Sequence, residues 1–100
     1  MKVPQIVQAL EEAVGQLGVA VRHERGNFRG GLCTVGDETV VVLNKRRPAE
    51  AHLAILADAL RELPVDEVYL RPAVRDALEA AWAARDAGID AAGDTELDEG

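Results

Sequence analysis

The 100-residue chain has one cysteine, three aromatic residues and no run of large aliphatic residues longer than positions 40–43. A lone cysteine cannot close an internal disulfide, so the fold must stand on its core, and a reducing compartment is the simpler setting. The aliphatic run falls far short of the roughly 20 residues that cross a bilayer. The opening stretch MKVPQIVQALEEAVGQLG carries Glu11 and Glu12 and lacks a long apolar centre, so it reads as neither signal peptide nor membrane anchor. A cytoplasmic protein without a membrane partner is expected.

Ligand-holding patterns are missing too. Zinc needs three or four well-spaced ligands, and the chain has two histidines, no Cys-x-x-Cys and no His-x-x-x-His, so no metal is expected. GNFRGG, residues 26–31, is not the G-x-G-x-x-G of a dinucleotide loop, and no G-K-[ST] follows it. No cofactor is implied. Charge is plentiful but unbalanced, with 18 acids against 11 bases and a formal net of −7, which argues against a general binder of nucleic acid or anionic membranes. The imbalance is uneven. Residues 22–47 hold six bases against three acids, whereas residues 48–100 hold four bases against thirteen acids. Any anion binding must be local to the first half.

What is present fits a single domain over residues 1–88 and an acidic tail, IDAAGDTELDEG at residues 89–100, which reads as disordered. Ile6, Val7, Leu10, Val14 and Leu17 recur at helical spacing between Pro4 and Gly18 and predict a first helix. Val19, Val21 and His23 alternate with Ala20, Arg22 and Glu24 as a short strand. GGLCTV and ETVVVLN, joined by Gly36 and Asp37, predict a hairpin in which Val35 faces Glu38, Cys33 faces Val40 and Gly30 faces Leu43. Cys33, Val40 and Val42 then share one face and Leu32, Val41 and Leu43 the other, so cover is expected on both.

Pro48 opens a second helix with a stripe of Leu53, Leu56, Leu60 and Leu63, broken at Pro64. DEVYL, residues 66–70, predicts a fourth strand, and Pro72 opens a third helix with Val74, Leu78, Ala81 and Trp82 on one face before Gly88. The order αβββαβα makes an α+β domain: an antiparallel three-strand meander followed by a right-handed βαβ unit, with helices packed on a small mixed sheet.

Cys33 and His23, on strands expected to be neighbours, raise a thiol enzyme. A reactive thiol needs an exposed electropositive setting, whereas Cys33 lies among apolar residues and is expected in the core, so no catalytic residue is assigned. Gly30 and Gly31 read as packing positions that allow close approach. His52 reads as a boundary residue of the second helix and Trp82 as a core residue of the third.

The basic residues form the more informative constellation. The hairpin returns the chain before Gly30 and the chain after Leu43 to one end, gathering Arg25, Arg29, Lys45, Arg46 and Arg47. Asn27 adds hydrogen bonds there and Phe28 a stacking surface. A fourth strand parallel to the third would bring Arg71 and the start of the third helix to the same end, beside the start of the second. Helix N-termini present unpaired N–H groups and about half a positive charge each, a ready anion site. The competing reading is a solvated rim whose arginines pair with Glu50, Asp66, Glu67 or Glu79.

GNFRGGLC, VVVLNKRRP and LRPAVRDALE, within residues 20–80, together resemble a family of small uncharacterised bacterial proteins with GNFxGGxC, LNKRxP and PxVRxxLE stretches. The resemblance implies a common fold and no reaction. The strand ending in Asn44 before the helix HLAILADAL is also similar to the start of gene-regulatory zinc peptidases. Ile55, Leu56 and Ala59 stand where the ligands and general base would lie, so the catalytic residues are absent. The leading expectation is a non-enzymatic module that binds an anionic ligand or an acidic partner segment at the basic end. The alternatives are a protein-interaction module or homodimer using an apolar helix face or a sheet edge, and an enzyme dependent on Cys33.

Overall fold

The computed structural model describes residues 1–88, so the expected tail at residues 89–100 lies outside the described residues. The chain runs through α1 (Val3–Gln16), β1 (Ala20–Glu24), β2 (Gly30–Val35), β3 (Glu38–Asn44), α2 (Ala49–Arg61) and α3 (Pro72–Asp86), with a single 3₁₀ turn at Val65–Glu67. The result is an α+β fold of three α-helices and a three-stranded mixed sheet.

The helices begin and end where local chemistry dictates. Pro4 sits in the first turn of α1, and the Lys2 backbone N–H, outside the helical ladder, donates to Gln5 Oε1 at 2.9 Å. The chain leaves α1 through Gly18 at φ +85°, a conformation that suits a residue without Cβ. Ile6, Val7, Leu10 and Val14 of α1 are buried together with Leu56 and Leu60 of α2, Val74 and Leu78 of α3, and Val41 and Leu43 of β3. That cluster is the core, and its aliphatic content supplies most of the apolar burial.

The hairpin register is the one the turn predicts, from Val35 opposite Glu38 to Gly30 opposite Leu43. Strand order departs from expectation. β3 is central, with β2 antiparallel on one side and β1 parallel on the other, so the order is β1-β3-β2 and not a meander. The most apolar strand thereby gains ladder bonds along both edges and full burial of Val41 and Leu43, while β1, exposed at four of its five residues, takes an edge. The link from β1 to β2 must step over β3, a lateral distance of about 10 Å. Five residues, 25–29, have ample reach at roughly 3.3 Å each.

The same arrangement removes the expected fourth strand and its βαβ crossover. Both edges of β3 are occupied, so no slot beside it remains, and residues 66–70 form part of the 3₁₀ turn and an unpaired extended segment with Tyr69 80 % exposed. Cover is also one-sided. Val21, Leu32, Val41 and Leu43 face the helices, whereas Val40 and Val42 lie outside the core cluster, on a face over which no described helix packs. Cys33 belongs to that second face and is exposed, which corrects the expectation of a core thiol. No helix among the described residues is long and apolar enough to cross a membrane.

Candidate functional site

Two loops meet at the end of the sheet where β1 and β3 finish. Because these strands are parallel and in register to Glu24 opposite Asn44, their next residues, Arg25 and Lys45, leave side by side, and the Lys45 N–H donates to Glu24 O at 2.8 Å. The loop at residues 25–29 then crosses above β3.

Asn44 holds that crossing. It is 3 % exposed, and its Nδ2 donates to Gly26 O at 2.9 Å and to Phe28 O at 2.6 Å, while its Oδ1 accepts from the Arg46 N–H at 3.0 Å. Its own carbonyl accepts from the Arg47 N–H at 3.0 Å and lies 2.7 Å from His52 Nε2, which donates to it. A buried amide with every polar atom engaged ties the loop at residues 26–28 to the turn at residues 45–47. His52, read from the sequence as a boundary residue, is half-buried and braces this knot from α2.

The knot borders a depression of about 350 Å³ lined by Gly26, Asn27, Phe28, Arg29, Asn44, Arg46 and Arg47. Of the residues expected at the basic end, Asn27, Phe28, Arg29, Arg46 and Arg47 line it, whereas Arg25 and Lys45, exposed chain neighbours of Gly26 and Arg46, do not. The side chains of Arg25, Lys45 and Arg46 make no ion pair with any described residue. Asp66 and Glu79, two acids considered as partners for the basic end, instead approach Arg75 at 3.6 and 3.1 Å. The turn leads into α2, whose cap residue Pro48 offers no side-chain acceptor, so the first N–H groups of the helix have no partner in the helix itself. Glu50 in its first turn answers part of the resulting positive potential.

Arg71 does not join the cluster. Without a fourth strand to carry it there, it lies with Tyr69 and Leu70 in a separate cavity of about 460 Å³ against Gln5, Gln8 and Glu12 of α1. The start of α3 therefore faces α1 and not the basic end.

Asn44 was the residue missed. Its signal was a polar side chain closing the most apolar strand of the chain, directly across from the glycine-rich loop. The thiol–imidazole pair does not form: His23 sits on the helix side of the sheet with Nε2 3.1 Å from Glu11 Oε2, while Cys33 occupies the opposite face. Among the described residues no group of three or more His, Cys, Asp and Glu side chains gathers as a metal site. Trp82 packs against the core as expected, its Nε1–H donating to Ala57 O at 2.7 Å. No family model matches the chain, and no curated protein or solved structure matches it.

Proposed function

We propose that the protein is a non-enzymatic binding module whose basic end receives an anionic ligand or an acidic segment of a partner. The depression where the two loops meet carries this reading, because it places Arg29, Arg46 and Arg47 around one space of about 350 Å³. Guanidinium groups present planar forks of N–H donors that match phosphate and carboxylate oxygens, often two bonds at a time. Arg25 and Lys45, chain neighbours of its lining residues, add charge that steers such a ligand inward, and Asn27 and Phe28 shape the contact with an amide and a ring face. The net charge of −7 keeps this attraction local and favours a compact anion over a long polyanion.

The cost of crowding cations is small while they stay hydrated and falls further when an anion is bound. Binding at this end is therefore electrostatic and weakens as salt shortens the screening length to about 8 Å near physiological ionic strength. Amide shift mapping with inorganic phosphate, pyrophosphate, a short oligonucleotide and a glutamate-rich peptide tests it. Saturable shifts confined to residues 25–29 and 44–48 for at least one probe, reduced by added salt, are expected. Their absence with all four probes overturns the reading.

A further inference from the structure

The two edges of the sheet are built differently. β1 carries Arg22, His23 and Glu24, charges of the kind that keep a strand edge from pairing with another chain. β2, GGLCTV, has no charge and no proline along its six residues. From the Val35–Glu38 closing pair, alternation turns the backbone of Val35, Cys33 and Gly31 toward β3 and that of Thr34 and Leu32 outward, where they meet no further strand among the described residues.

We infer that β2 is a homodimer edge, pairing antiparallel with β2 of a second copy about a two-fold axis at Cys33. This surface adjoins the basic end, with which it shares Phe28 and Arg29, but the pairing of the strands does not depend on what binds there. Pairing Cys33 with its counterpart sets every other partner: Leu32 meets Thr34, Gly31 meets Val35, and Arg29 meets Asp37.

Three separate features of the chain fit that one register. Leu32 and Thr34 are the residues whose backbone groups point outward, so they exchange ladder bonds across the axis. Val35 is 54 % exposed, one of few large apolar side chains in that state among the described residues. In the second copy it lands on the same face as Gly31, which has open space where a Cβ would stand. That space belongs to a depression of about 390 Å³ lined by Phe28, Gly31, Cys33 and Val42 among others. The exposed valine of each copy thus fills a hollow in the other. Finally, Arg29, the residue before β2, lies across from Asp37 in the turn, and Glu38 follows Asp37, so opposite charges meet at both ends of the paired edge.

A two-fold contact of this kind is self-complementary and closes at two copies, leaving the charged β1 edges outermost in a six-stranded sheet. An edge of six residues with one apolar knob per copy is small beside a standard interface of about 1,600 Å², so the dimer is concentration-dependent.

Mass in solution, followed across a dilution series, is expected to fall from two chains to one. Val35→Asp, at an exposed position and with its fold checked by circular dichroism, should weaken association by about tenfold or more. Arg29→Asp and Asp37→Arg should each weaken self-association, and an equimolar mixture of the two should recover it as a heterodimer. Paired Cys33 residues in a non-hydrogen-bonded position stand with Cα atoms about 4.5 Å apart, inside the range a disulfide spans. Diamide, which removes two electrons and two protons from a thiol pair, should therefore link the copies faster in buffer than in urea. A single-chain mass at every concentration, a dimer indifferent to Val35→Asp, a charge mixture that does not associate, or Cys33 linkage no faster than in urea overturns the proposal.

Discussion

Asn44 shows how one side chain can decide the shape of a site it does not itself charge. Its amide is spent on the carbonyls of Gly26 and Phe28 and the N–H of Arg46, so a buried neutral group ties the two basic loops together. Replacing it with alanine removes one partner from each of these bonds and leaves the remaining groups part-buried and unpaired. Asn44→Ala is expected to lower stability by about 1–3 kcal/mol in urea unfolding. It should also broaden the amide signals of residues 25–29 relative to those of α2. Local pattern placed the cations of the two loops at one end, since a two-residue turn dictates where its flanks return. The same pattern left Asn44 without a role, because a polar residue closing an apolar strand reads as a boundary until the loop above it is known.

At the scale of elements, the helices and the hairpin were legible because each is specified by neighbours in sequence: proline near the start, glycine or proline beyond the end, apolar residues at one spacing. The order of strands was not legible, since it depends on which strand competes best for the centre, a comparison among distant segments. The run Val40, Val41, Val42 and Leu43 wins that competition, and DEVYL consequently has no place beside β3.

Helix α3 is fastened instead by side chains. Arg61 Nη1 and Nη2 donate to Asp86 Oδ1 and Oδ2 at 2.8 Å each, Trp82 reaches Ala57, and the Arg61 guanidinium lies 5.5 Å from the Trp82 ring centroid. The hydrogen bond from Arg61 holds the Asp86 carboxyl below its ordinary value. A carboxyl whose folded value is depressed stabilises the fold fully above its unfolded value, near 3.8, and loses that contribution as pH falls through the folded value. Asp86→Asn should therefore reduce the loss of thermal stability on going from about pH 5 to pH 2. The variant and the parent are compared by melting temperature at each pH. The pair is exposed to solvent, so the effect is modest and should shrink in high salt.

For the whole molecule, placing β3 between its neighbours has a kinetic consequence. β2 and β3 are contiguous and close across two residues, but the first β1 pair, Ala20 with Val40, joins positions twenty apart and needs β3 already extended. Loop closure on that scale costs chain entropy before any contact compensates it. The hairpin and the face of α2 that covers it should form the folding nucleus, with β1 and the 25–29 crossover docking late. Trimming Thr39 to alanine is expected to slow refolding, whereas Val21→Ala should chiefly speed unfolding in stopped-flow measurements. If so, the crossover that carries Arg25 and Arg29 is also the last part of the chain to close and the first to open, and the depression beneath it exists only once the rest of the domain is built.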